Sequence, residues 1–181
     1  MKQKNHGFTL VETIIVMAIM AVLASMLFIG LAIIPRNAAR SCAKGIKTVI
    51  GQTRIMTMGK DETVLELYQD TDGRYYTVHY ADGTALNTPE ECGKTYVTVY
   101  YHEEGTAGDP DTVTAADCTE LSGSERLYLG FDRGNGKMAS VSASVGAGTV
   151  TTKVCDAIVV TGGGLECRVR IYPATGKVMF E

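Results

Sequence analysis

Between Phe8 and Ile34 the chain runs for 27 residues with one ionisable side chain, Glu12. As a helix this stretch reaches roughly 40 Å, more than the ~30 Å hydrocarbon core of a bilayer. Ile14, Ile15, Met17, Ile19, Met20 and Leu23 fall on every side of such a helix. An apolar surface all round belongs to a helix inside lipid or a bundle, not to one lying on a water-facing core. A spanning helix is the reading. Glu12 is the exception within it, because a carboxylate in a lipid-spanning segment costs up to ~3 kcal/mol and calls for a partner. It either reaches the headgroups from the membrane edge or meets a positive charge on another molecule.

The residues in front of the run decide between these. Met1-Lys2-Gln3-Lys4-Asn5-His6-Gly7 is short, polar and basic, and its Gly stands directly before Phe8-Thr9-Leu10-Val11-Glu12. The run is too long for the 7–15-residue core of a secretory signal, and no small-residue cleavage site with a polar exit follows it. Leader, Gly, aromatic, Glu and apolar run in this register resemble the type IV prepilin signature over residues 1 to about 35. The resemblance implies cleavage by a prepilin peptidase between Gly7 and Phe8, N-methylation of the new Phe8 terminus, and an assembly role for Glu12. The partners it implies are the peptidase, other pilin or pseudopilin subunits, a membrane platform protein, an assembly ATPase and membrane lipid. The fibre would be a type IV pilus or a type II secretion or competence pseudopilus. The N-terminus would be cytoplasmic, the anchor a single pass through the plasma membrane, and the head extracytoplasmic. Lys2 and Lys4 are outnumbered by Arg36, Arg40, Lys44 and Lys47 after the run. The positive-inside rule taken alone therefore gives the opposite orientation; leader and cysteines outweigh it here.

Loss of a leader carrying Lys2 and Lys4 takes the formal charge from −3 to −5. An acidic ectodomain argues against a broad nucleic-acid surface. Of the five cysteines, Cys92, Cys118, Cys155 and Cys167 lie where oxidising conditions permit disulfides. Four cysteines allow three pairings. The local one, Cys92–Cys118 with Cys155–Cys167, needs the least long-range geometry and is the expectation. Cys42 falls on an apolar helical face and reads as a buried free thiol.

Past Ile34, Pro35 interrupts the helical donor pattern. The periodicity resumes at once, so a kink is expected rather than a stop. Ala39, Cys42, Ala43, Ile46, Val49, Ile50, Thr53 and Met56 recur at gaps of three and four, with Arg40, Lys44, Lys47 and Arg54 opposite. That predicts an amphipathic helix ending near Gly59, its basic side a solvated face. From Thr63 the period becomes two. Leu65 and Leu67, then Val97, Val99 and Tyr101, then Leu127, Leu129 and Phe131 form inward faces, separated by turns such as Asp70–Gly73 and Asp82-Gly83. Residues 103–126 read as a polar loop and 140–152 as an irregular or edge strand. Ala157–Val160, Gly162–Gly164 and Cys167–Ile171 read as a hairpin, and Lys177–Glu181 as a last strand. The fold class is α+β, a long N-terminal helix packed on a C-terminal antiparallel sheet domain. The boundaries expected are leader 1–7, transmembrane and assembly helix 8–34, amphipathic helix 35–58 and β-rich head 60–181. The same layout resembles the pilin and pseudopilin architecture. The closing Arg-x-Arg-Ile-Tyr with Thr-Gly-Lys-Val resembles the last hairpin of minor pseudopilins of the H class.

Little in the chain points to catalysis. His79 and His102 belong to no zinc helix or nucleophile motif and read as surface histidines. Asp70-x-Asp72-Gly73 lacks the closing glutamate of a calcium loop. No metal, cofactor or enzymatic activity is expected. The rival to a structural subunit is a single-pass anchored surface binding module or enzyme, which would need neither Gly7 nor Glu12.

Overall fold

The computed structural model describes residues 9–59 and 63–181, and for residues 26–32 the backbone alone. The chain divides into two units, Met1–Ile34 and Pro35–Glu181. Helix α1 runs over Leu10–Gly59 with Pro35 inside it, so the proline does not stop the helix. Within the first unit the described side chains from Leu10 to Leu23 are exposed on every side, as the aperiodic apolar sequence requires. Among the described residues no helix is long and apolar enough to cross a membrane.

The second unit is α+β. Strands β1 (Thr63–Gln69), β2 (Tyr75–Ala81), β3 (Thr84–Ala85), β4 (Glu90–Gly93) and β5 (Thr98–Glu103) precede a 3-10 turn at Ala115–Asp117. Then come β6 (Thr119–Glu120), β7 (Arg126–Gly130), β8 (Ser142–Val145), β9 (Gly148–Thr151), β10 (Cys155–Gly162), β11 (Leu165–Tyr172) and β12 (Lys177–Phe180). One sheet has the order β3-β2-β1-β7, with β4 also on β2; the other is β12-β11-β10-β5-β6; β8 and β9 form a separate hairpin. Every strand pair is antiparallel.

Both sheets share one core with the helix. Ala39, Cys42, Ala43, Ile46, Val49 and Ile50 pack with Leu65, Leu67, Leu127 and Leu129 of the first sheet and Val99, Ile158, Val160, Val169 and Ile171 of the second. The small residues Ala39, Cys42 and Ala43 let the helix lie close. At Gly162 an added Cβ would stand 2.7 Å from Pro35 O and 3.1 Å from Ala39 Cβ, so only glycine fits where the β10–β11 hairpin meets the helix. That hairpin turns through Gly163 and Gly164, both at positive φ (59° and 73°). This is the geometry a two-residue connection between right-twisted strands demands.

Several expectations are corrected here. Met56 is not on the buried face; Thr57 is, its hydroxyl donating to Thr53 O (2.9 Å) and Thr63 O (3.2 Å). The polar residue is buried because the start of β1 supplies an acceptor that a thioether could not use. The basic helix face is not simply solvated. Arg36 Nε donates to Gly163 O (3.0 Å), Arg54 Nε donates to Gly136 O (3.2 Å), and the Lys44 ammonium stands 5.7 Å from the Phe180 ring centre. His79 and His102 are buried, not on the surface. Residues 140–152 hold the β8–β9 hairpin, and the 103–126 stretch contains the 3-10 turn and β6.

The expected disulfide partners are separated. All five cysteines are free thiols. Cys167 pairs opposite Val160, five positions along β10 from Cys155. At ~3.3 Å per residue that is roughly 16 Å, well past the ~7 Å over which a disulfide can close. Cys92 packs against the main core, to which Val99, Tyr101 and Ile158 belong, whereas Cys118 packs against the smaller cluster of Val113, Ala157 and Val159. Alternate residues of β5 and β10 point to opposite faces, so the second sheet stands between Cys92 and Cys118. Cys42 is a buried free thiol as expected, and Cys92 and Cys167 share its cluster.

Candidate assembly segment

Gly7 and Phe8, the expected processing residues, lie outside the described residues. Glu12, the expected assembly residue, is the third residue of α1 and an acidic side chain in its first turn. Thr9 stands just before the helix. Its Oγ1 accepts the Glu12 N–H at 3.3 Å, and its carbonyl accepts both the Thr13 N–H (3.2 Å) and the Thr13 hydroxyl (3.3 Å). Helix starts leave their first N–H groups unpaired, and Ser or Thr before the first turn satisfies one of them. Thr9-x-x-Glu12 is the sequence form of a capping box, a signal present in the chain that a reading of Glu12 as an intermolecular partner passes over. A carboxylate there also faces the positive end of the helix dipole. Glu12 thus has a local reason to stand where it does, while its surroundings, Leu10 at 77 % exposed and Ile15 and Val16 at about half, offer no partner among the described residues.

Elsewhere the polar clusters are turned to holding the head together. Glu66 is only 1 % exposed, on the face of the first sheet away from the helix. Its carboxylate accepts from Tyr80 and Tyr128 hydroxyls (both 3.1 Å) and from Arg126, whose guanidinium also covers the Tyr68 ring at 4.5 Å. Burial first, and the Glu66 charge second, push the Tyr128 phenol up to about 12. The phenols therefore remain donors and the buried carboxylate stays satisfied, as an unpaired one would not.

His102 Nδ1 lies 2.7 Å from Asp156 Oδ1, and its Nε2 lies 2.8 Å from Thr106 Oγ1. A hydroxyl, an imidazole and a carboxylate in line are the parts of a nucleophilic triad, so the surroundings matter. The Thr106 hydroxyl also donates to Glu103 O at 2.7 Å, His102 is 2 % exposed, and the Gly108 backbone sits against its Nε2 side. The line pins the 103–108 loop over β5. Arg168 does the same for the next stretch, donating to Val113 O (3.0 Å) and Asp111 O (2.6 Å). At the Asp70–Gly73 turn both carboxylates are engaged, Asp70 by the Thr71 N–H (2.8 Å) and Asp72 by Arg74 and Tyr76. Among the described residues no group of three metal-ligating side chains occurs.

Compared with known proteins, residues 2–28 match the prokaryotic N-terminal methylation motif. The match supports a type IV pilin-like or pseudopilin protein, a precursor processed by prepilin peptidase, and it rests on the N-terminal segment. No curated protein and no solved structure matches the chain.

Proposed function

We propose that this chain is a structural subunit, not an enzyme. It is cut between Gly7 and Phe8, held in the plasma membrane by residues 8–34 as a single pass, and drawn from there into a type IV pilus or a type II secretion or competence pseudopilus. The observation that carries the reading is the first unit: a capped helix with apolar side chains exposed all round and one carboxylate in its first turn. Such a surface is stable only in lipid or against other helices. The same segment serves in turn as anchor in the bilayer and as packing surface in a fibre. The platform protein and assembly ATPase of such a system would drive that transfer.

Intact-mass analysis of the protein extracted from membranes of its native cells tests this. The expected species begins at Phe8 and carries a methyl group. A chain still beginning at Met1 would sink the proposal and leave a plain tether.

A further inference from the structure

We propose that Cys42 and Cys92 form a disulfide that staples the helix to the first sheet. The β2–β4 pairing sets Tyr75 opposite Gly93 and Tyr76 opposite Glu91, so Cys92 is the extra residue of a β-bulge. A bulge re-aims side chains, and here it places Cys92 against the core that receives the helix. The sulfur of Cys42 arrives at the same spot, since a Cβ on neighbouring Gly93 would lie 3.0 Å from Cys42 Sγ. The Cys92 thiol donates to Tyr75 O at 3.5 Å, on the strand pair where the Cys42 sulfur meets Gly93. The neighbouring Cys92 and burial hold the Cys42 thiol far above its ordinary range, so Cys42 does not react first with reagents in solution. Cys167 shares the cluster but stands on β11 of the second sheet, opposite Val160.

The chemistry follows from the difference in access. Cys42 is 1 % exposed and Cys92 is partly open. An external low-molecular-weight disulfide, R–S–S–R, reaches Cys92, whose thiolate attacks one sulfur and expels RS⁻. Cys42, deprotonated as it attacks, then displaces the second RS⁻ from the Cys92 sulfur. Two thiols are oxidised, one R–S–S–R is reduced to two RSH, and both protons go to the leaving thiolates. The bond closes a loop of about 50 residues, which constrains the unfolded chain strongly. It does not depend on the fibre reading.

The test is to incubate the purified full-length protein in detergent with oxidised glutathione, block remaining thiols, and digest with trypsin without reduction. The expected product joins Ser41–Lys44 to Tyr75–Lys94. The oxidised protein should melt about 10 °C above the reduced one, a rise that Cys92→Ser abolishes and Cys167→Ser keeps. Any other partner for Cys42, a Val154–Arg168 peptide two mass units light, or five blocked thiols after oxidation would overturn the proposal.

Discussion

Glu12 carries two physical explanations that a single substitution confuses. As the third residue of a helix capped by Thr9 it favours the helix start, an effect worth about 0.3–1 kcal/mol. In the proposed fibre it would, as a charge in an apolar segment, pair with a methylated, still cationic Phe8 amine of an incoming subunit. That pair would set register while Ile14, Ile19 and Leu23 supply area without position. Glutamine fits the capping box as well as glutamate does, so Glu12→Gln keeps the first role and removes the second. We expect Glu12→Gln and Glu12→Ala both to be made, inserted and cut at Gly7–Phe8, and both to enter sheared fibres at least about tenfold less than wild type, equivalent to ~1.4 kcal/mol or more. The comparison is processed protein in membranes against protein in fibres, in cells with no other copy. Normal incorporation of Glu12→Gln with loss of Glu12→Ala would make Glu12 a capping residue only.

At the scale of elements, the helix is fitted to the head by close approach more than by large side chains. Gly162 is the tightest point. Gly162→Ala would drive a methyl group into Pro35 O and Ala39 Cβ, shifting the β10–β11 hairpin off the helix and straining the Arg36 bond to Gly163 O. Overpacking of this kind costs about 1–3 kcal/mol, read as a lower urea midpoint at unchanged slope. Wild-type stability in the variant would mean that the contact relaxes freely. No local pattern signals such a contact, because a turn alone accounts for the run Gly162–Gly164. Period is legible: Leu65 and Leu67, Val97, Val99 and Tyr101, and Leu127, Leu129 and Phe131 are buried as their alternation implies. Where an element is two to four residues long, as β3, β4 and β6 are, no period exists to read. The apolar helix face differs at its end, where Thr57 finds an acceptor at the start of β1. The buried histidines and the bulge at Cys92 depend on pairings between distant segments. The N-terminal methylation motif is the most legible part, because leader and apolar run are local chemistry. The cysteine pairing is the least.

For the whole molecule, the division at Pro35 has a consequence for solubility. Among the described residues every buried member of the main core lies from Ala39 to Ile171, so the head and the second half of α1 hold a core of their own. The exposed leucines, isoleucines and methionines of the N-terminal run are what a bilayer or other helices must cover. A chain beginning at Pro35 keeps Pro35 O against Gly162 and the Arg36 bond to Gly163. We expect it to be monomeric in detergent-free buffer, with one cooperative unfolding transition at the same temperature, within about 3 °C, as the full chain in mild detergent. Beginning instead at Asn37 removes the Arg36 bond to the hairpin, worth about 1.5 kcal/mol at most for an exposed pair of this kind, and should lower that midpoint by a few degrees. Sedimentation and thermal melts of the two truncations against the full chain make the comparison. Aggregation of the Pro35 form, or a broad transition, would show that the head needs its N-terminal segment to fold, and the division into anchor and independent head would fall.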